Sequence, residues 1–313
     1  MLKSSDGYLS GEVIARTLGI SRAAVGKAIS VLRENGFEIE AVTNRGYRLV
    51  SEKYMSAPAI QRYLKHDLPN PNVFRSVTST NILVKEAAEN GAPEGYTVIA
   101  DMQSAGKGRG GKSFFSPDGT GLYMSILLRP QMSASESLYI TACAAVSTAE
   151  AIEGVLGREV SVKWVNDLFS GGLKVCGILT EASFDMESGG LSYAVLGIGI
   201  NVFEPKNGFG DLSGIAGAIL PYSENSADIK CRLAAAIIDK FFYYYEHLSD
   251  KSYFSEYKKR LFILNHDITV IKEDLRISAR ALDIDEDFRL LVRYENGDEE
   301  YISSGEVSII PTK

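Results

Sequence analysis

Residues 106–113 read GKGRGGKS, and the octapeptide satisfies G-x-x-x-x-G-K-[ST] at every position. A true phosphate loop of that form follows a strand and opens directly into a helix, whose N-terminus then faces the phosphates. The upstream half of the requirement is met, because TVIA (97–100) reads as a strand. The downstream half is not. FFSPDGTGLYMSILLRP (114–130) places Pro117, Gly119 and Gly121 where the helix should begin, and such residues cost ~1–3 kcal/mol each in a helix interior. The chain continues instead as a strand over Leu122–Leu128. The pattern match is a coincidence, and a nucleotide-hydrolysing P-loop fold is excluded. The composition still demands a function: Gly106, Gly108, Gly110 and Gly111 allow close backbone approach, Lys107, Arg109 and Lys112 add three charges, and no acid occurs from Met102 to Pro117. Such a segment is suited to fold over an anionic ligand and to become ordered by it.

The bulk properties set the frame for that loop. At 313 residues, 45% hydrophobic and 23% charged, the chain is an ordinary globular protein of two or three domains. The net charge of −7 has the wrong sign for coating nucleic acid. Residues 1–52 nevertheless hold seven Lys or Arg against six Asp or Glu, which confines any nucleic-acid contact to that segment. The start MLKSSDGYLSGEV lacks the apolar core of a secretory signal. The longest apolar run, YAVLGIGINVF (193–203), falls short of the ~20 residues that span a bilayer. Cys143, Cys176 and Cys231 are scattered without a C-x-x-C pair, as are His66, His247 and His266. A disulfide framework or zinc site is disfavoured, and a cytoplasmic protein without membrane association is expected.

SGEVIARTLGISRAAVGKAISVLRENGFEIEAVTNRGYRLV (10–50) reads as two helices and a hairpin. Ser10 caps the first helix, Val13, Ile14 and Leu18 face inward, and Gly19 ends it. Ser21 caps the second, whose apolar stripe Val25, Ala28, Ile29 and Leu32 ends near Gly36. Phe37–Val42 and Tyr47–Val50 alternate around Thr43-Asn44-Arg45-Gly46 as a small wing. This is a winged helix-turn-helix, with the second helix free to enter a major groove. Ser21, Arg22, Ala23 and Ala24 would lie nearest base edges, and Lys27, Arg33, Arg45 and Arg48 would meet phosphates. A helical protein-interaction module is the alternative. One such module binds weakly, so operator DNA would be met by a dimer on a two-fold site. Residues 51–60, which hold Pro58, read as a linker.

Five further segments complete the pattern: FRSVTSTNILVKEAA (74–88), QSAGKGRGGKSFFSPDGTGLYMSILLRP (103–130), KWVNDL (163–168), GLKVCGILTEA (172–182) and LGIGINV (196–202). In order and spacing they resemble biotin protein ligase, and with the winged helix ahead they resemble its bifunctional form, which also represses biotin-biosynthesis genes. The resemblance implies a multidomain α+β protein: a winged helix-turn-helix at 1–52, a central mixed-sheet α/β catalytic domain of class II synthetase type at 53–264, and an SH3-like β-barrel at 265–313.

It also implies a chemistry and a set of roles. The family forms biotinyl-5′-AMP from biotin and MgATP, then passes biotin to a lysine of a biotin carboxyl carrier protein; both steps need positioning and charge neutralisation more than covalent participation. By resemblance, Ser79, Thr80, Asn81 and Gln103 bind the ureido ring, whose neutral donors and acceptors suit hydroxyl and amide groups. The triplet also reads as an ordinary cap for the helix Ile82–Asn90, after the strand-like Val73–Val77. Gly106, Lys107 and Gly108 would lie along biotin's chain and carboxylate, Arg109 would hold the adenylate, and Phe114 would stack on adenine where the family usually has Trp. Lys107 and Gly110 stand where the family has arginines, which weakens the hold on the intermediate.

Lys163, at the end of the strand-like Glu159–Val165, would neutralise the α-phosphate in the transition state; Asn166 and Asp167 offer oxygens to nucleotide and, for Asp167, to Mg²⁺. The family has Pro where this chain has Val165. Lys174 would reach carboxylate or phosphate, and Gly177 would leave room for the biotin ring. Gly197, Gly199 and Asn201 indicate close approach in a final buried strand; for the latter two, a tight strand crossing and direct ligand contact both remain open. The catalytic set is thus Lys163, Arg109, Lys174 and Asp167. The resemblance further implies a homodimer when adenylate is bound. Ser133–Leu156 and Asp228–Leu248 are expected helices backing the sheet, and 265–313 alternates as short strands with twelve acids against six bases. Two alternatives stand beside the bifunctional ligase: a ligand-sensing transcription factor without ligase activity, and a lipoate-type acyl transferase.

Overall fold

The computed structural model describes all residues except 3, 4, 6, 35, 36, 53, 134, 135, 185–189, 273, 274, 304, 305 and 310–313, and leaves the side chains of 51, 52, 184, 272, 306 and 309 undescribed. Gly36, the expected end of the second helix, lies outside the described residues.

The N-terminal unit comprises α1 (Gly11–Leu18), α2 (Arg22–Glu34), β1 (Phe37–Val42) and β2 (Gly46–Glu52). Ser10 Oγ accepts the Val13 N–H and Gly19 closes α1 at φ +66°. Ser21 Oγ accepts the Ala24 N–H in the same manner. Such caps satisfy amide groups that a helix leaves without partners. Ile14, Ala15, Val25, Ile29 and Ile39 form the core of this unit. The expected inward positions are only half right: Val13 is 37% and Leu18 55% exposed, and Ala28 is exposed as well. Val13 lies about 100° around the helix from Ile14, and Leu18 is the last residue of α1.

Residues 51–60 are not a loose linker. β2 runs to Glu52, and α3 (Ala57–Gln61) follows with proline in its first turn, where its missing N–H costs nothing. Met55, Ala59 and Ile60 join the central core at 5%, 1% and 0% exposure.

That core is organised by β3 (Asn72–Phe74), α4 (Thr80–Glu89), β4 (Thr97–Ala100), β5 (Gly121–Leu128), α5 (Ser137–Leu156), β6 (Ser161–Lys163), β7 (Asp167–Ser170), β8 (Leu173–Phe184), β9 (Leu191–Asn201), α6 (Ala227–Tyr245) and α7 (Phe254–Arg260). The seven strands run β3-β4-β5-β9-β8-β7-β6. β3 and β4 are parallel and every other pair is antiparallel, so the expected mixed sheet is present. No helix follows the glycine-rich loop; β5 does, buried at every residue. The expected strands at 73–77 and 159–165 are shorter, three residues each. α4 packs Val84 and Ala88 on Val98, Leu127 and Val195 on one face; α5 and α6 join the main core on the other. α5 is apolar and long enough to cross a membrane by length and composition, but it is mostly buried within the protein.

The C-terminal strands are β10 (Asp267–Lys272), β11 (Leu275–Ile284), β12 (Leu290–Tyr294), β13 (Glu299–Ile302) and β14 (Glu306–Ile309). They pair antiparallel in the order β13-β12-β11-β10-β14. Among the described residues the outer strands β13 and β14 do not pair, so the segment is an open five-stranded sheet and not the closed barrel expected.

Candidate functional site

The site lies on the α4 face of the sheet, and its floor is made of glycine. Gly177 in β8 and Gly199 in β9 are register partners, as are Leu179 and Gly197; Gly197 also faces Ser125 of β5. A Cβ on Gly197 would stand 2.2 Å from Asn81 Oδ1, and one on Gly199 would stand 2.6 Å from the Phe114 ring. Neither distance is tolerable, so the glycines are required by neighbours pressed against the strands. The room expected above Gly177 for a ligand ring is taken by Phe114, whose Cε2 would lie 3.0 Å from a Cβ there.

Above this floor a cleft of about 330 Å³ is lined by Lys107, Arg109, Lys112, Lys163 and Lys174, with Asp167 as its one carboxylate. Five cations against one anion make a receptor for negative charge. The β6–β7 pairing sets Lys163 opposite Asp167, and β8 delivers Lys174 from the other side. Asp167 Oδ1 lies 2.7 Å from Lys174 Nζ, and its Oδ2 lies 3.7 Å from Lys163 Nζ. The first contact is an ion pair without hydrogen-bonding geometry, since the same oxygen has no directed donor. The turn between β6 and β7 places Asn166 so that its amide donates to the Ile178 carbonyl and its Oδ1 accepts from Arg109 Nη1 at 3.1 Å. The peptide bond before Val165 is cis.

The glycine-rich segment is a flap folded on itself. Gly108 N–H donates to Lys112 O at 2.7 Å and Phe114 N–H to Gly106 O at 2.9 Å, while Gly110 and Gly111 take φ +63° and +75°. A glycine-rich turn reaches these left-handed angles without steric cost.

The polar wall is internally bonded. Gln103 Oε1 accepts both the backbone N–H and the hydroxyl of Thr80, and its amide nitrogen donates to Ser116 Oγ. Asn81 donates to Glu181 Oε2 at 2.7 Å and accepts from Ser125 Oγ. Ser79 is the N-cap residue of α4, but its side chain makes no capping bond, so the hydroxyl remains for other use. Burial pushes the Glu181 carboxyl up, but bonds from Asn81 and Lys85 outweigh it and hold the group below its usual value.

Most expected residues meet in this one cleft, Phe114, Gly197 and Gly199 among them. Two do not. Gly106 packs inside the flap, its absent Cβ facing Phe114 O, Ser116 Oγ and Gln103 Nε2. Asn201 sits past the end of the floor and donates to Gly217 O at 3.0 Å. Sequence reading missed Ser125, Glu181 and Lys85. Strand alternation could have found Glu181, which shares the face of Gly177 and Leu179.

On the winged helix, Arg22, Ala23, Ala24 and Lys27 are exposed together. Three expected phosphate contacts have partners within the unit. Arg33 donates twice to Ile39 O, Arg48 pairs with Glu40 at 2.7 Å, and Arg45 lies over the Tyr8 ring at 4.2 Å. Arg33 braces the wing by these bonds, and all three arginines are exposed at the surface.

No group of three or more His, Cys, Asp or Glu able to hold a metal occurs among the described residues.

Residues 73–201 match the Biotin/lipoate A/B protein ligase family, 1–48 an HTH domain, and 263–309 the Biotin protein ligase C terminal domain. The bifunctional ligase/repressor BirA of Bacillus subtilis is 38% identical over 212 residues, covering 67% of this chain and 65% of that one. Its counterpart in Bacillus spizizenii is 38% identical over 207 residues, covering 65% and 63%. The matched region thus spans under two thirds of those relatives' own length. A biotin protein ligase from Aquifex aeolicus, solved with biotin and ATP, superposes with TM-score 0.63 at 25% identity, covering 78% of this chain and all of that one. Fold and site together define an architecture, a glycine-floored mixed sheet joined to a helix-turn-helix, like that of these ligases. Residues 73–201 carry the match to the Biotin/lipoate A/B protein ligase family, and the chain as a whole is similar to the bifunctional ligase/repressors just described.

Proposed function

We propose that the chain is an ATP-dependent biotin–protein ligase that also acts as a biotin-responsive repressor. The observation that carries this is the cation-lined cleft with a glycine floor and a neutral polar wall, in a chain similar to bifunctional ligase/repressors. The wall of Ser79, Thr80, Asn81 and Gln103 suits a ureido ring, and the floor suits an alkyl chain that needs close backbone approach. Phe114 lifts from the floor with the flap and stacks on adenine. Biotin's carboxylate oxygen attacks the α-phosphorus, the bond to the bridging oxygen breaks, and pyrophosphate leaves. Lys163, Lys174 and Arg109 neutralise the charge gathered on the phosphate as this happens. Asp167 would offer an oxygen to the Mg²⁺ that accompanies the nucleotide, which would supply further charge neutralisation. The carrier lysine's amine then attacks the acyl carbon, AMP leaves with the bond electrons, and the amine proton passes to solvent. Incubation with MgATP, labelled biotin and a biotin carboxyl carrier domain should label one lysine of the carrier. Labelling without ATP, or of the carrier by lipoate only, would refute the reading.

The remaining parts of the proposal concern organisation. The boundaries 1–52, 53–264 and 265–313, an SH3-like kinship of the C-terminal sheet, a cytoplasmic location, and an adenylate-dependent homodimer on two-fold operator DNA belong to it. Support for coupling comes from Arg75, which lies 3.5 Å over the Tyr54 ring beyond β2 and 3.1 Å from Asp118 on the flap's outgoing stem. Biotinyl-AMP is expected to tighten operator binding in a gel-shift titration; indifference to the ligand refutes this part alone.

A further inference from the structure

Phe288 stands in the turn between β11 and β12 at φ +59°, and it is fully buried. A bulky residue keeps a left-handed backbone only where its surroundings over-determine it. Its surroundings are four rings from outside the C-terminal sheet. Tyr253 is stacked on it at 5.4 Å, Tyr257 and Phe254 meet it edge-on at 5.3 and 5.5 Å, and Tyr139 is tilted at 5.8 Å. The turn is braced by Asp285, which accepts from the N–H groups of Asp287 and Arg289. Asp287 in turn holds the Tyr139 hydroxyl and Lys251. The Phe288 carbonyl accepts the Trp164 indole N–H at 2.9 Å. Trp164 is 2% exposed and directly follows Lys163, two residues before Asn166. Tyr257, from the same cage, donates to the Val165 carbonyl at 2.9 Å.

We propose that Phe288 is a positioning residue for the reaction: its ring docks the C-terminal sheet into the cage, and its carbonyl fixes Trp164, so that Lys163 and Asp167 are presented in reacting geometry. The proposal rests on the adenylation reading above. Docking errors of about 1 Å cost up to ~100-fold in rate without abolishing binding, and a defect of that kind lowers kcat and leaves KM in place.

The test uses the full chain. Trp164 is its one tryptophan, so tryptophan emission reports the surroundings of this single indole. Phe288→Gly suits the backbone and removes the ring; Phe288→Leu keeps apolar bulk. Phe288→Gly should shift Trp164 emission to the red and lower kcat of biotin-dependent pyrophosphate release by ~10–100-fold, with KM for biotin within about threefold. Phe288→Leu should fall between it and the parent. Unmoved emission, or moved emission with unchanged kcat, overturns the proposal, and so does a KM rise that accounts for the whole loss. If Phe288→Gly does not fold, Phe288→Leu is judged by the same two readouts. A parent chain that releases no pyrophosphate refutes the adenylation reading instead, and the emission contrast still decides whether Phe288 holds Trp164.

Discussion

Lys163 and Lys174 hold one carboxylate between them, with side-chain exposures of 16% and 32% against 12% for Asp167. Before ligand arrives, the second lysine charge has no nearby anion to answer it, and a phosphate would supply one. Lys163→Ala is therefore expected to lower adenylate formation by ~10²–10³-fold while leaving biotin affinity within a few-fold, a split that single-turnover kinetics beside equilibrium binding will resolve. Glu181 acts on the wall in a different way. Its folded pKa is depressed, so its share of stability is complete above the ordinary carboxylate value of ~4.3 and is lost as pH falls through the folded value. Thermal melts should show Glu181→Gln less stable than the parent at neutral pH, with the gap closing below about pH 4. A gap that persists unchanged in acid would assign the difference to packing. Lys163 and Asp167 were legible through the resemblance that KWVNDL carries, and the structure brings both into the cleft. Ser125 was not, because serine is common on strands and only the register places it against Asn81.

The flap is the element on which the reading turned, and its ends are clamped from below. Lys230 of α6 is 2% exposed and reaches Asp101 Oδ1 at 2.5 Å and Gly119 O at 2.9 Å. Asp101 directly follows the strand entering the flap, and Gly119 precedes the strand leaving it. One buried ammonium thus closes the loop at its base, and Gly119 N–H adds a bond to Asp101 O. Lys230→Met strands a buried carboxylate and should cost ~3–5 kcal/mol in urea unfolding, with much of that recovered in the Lys230→Met, Asp101→Leu double variant. Equal losses in single and double variants would show that the pair is not coupled. The flap's backbone was legible because Pro117, Gly119 and Gly121 act locally against a helix. Its clamp was not, since the partners are 129 residues apart and nothing near either one signals the other.

Across the whole molecule, part of the stretch expected as a linker packs into the central unit. Residues 51–60 lose the helical period and carry a proline, so they read as linker. The buried Met55, Ala59 and Ile60 show that a five-residue helix is too short to display a period. A chain beginning at Tyr54 should fold and form adenylate without binding DNA, whereas one beginning at Arg62 should melt well below it or aggregate; similar melting of the two would place the boundary after α3. The order of units was readable because each carries its own period. The open edge of the C-terminal sheet was not, since closure depends on how far short strands curl.

The seat of Phe114 on Gly177 and Gly199 has a kinetic corollary. A receptor that houses one of its own rings makes every visitor wait for an eviction, and an eviction is a unimolecular event. Observed association should therefore level off as biotin is raised, and replacing the ring by alanine should lift the ceiling at the expense of how long the adenylate stays.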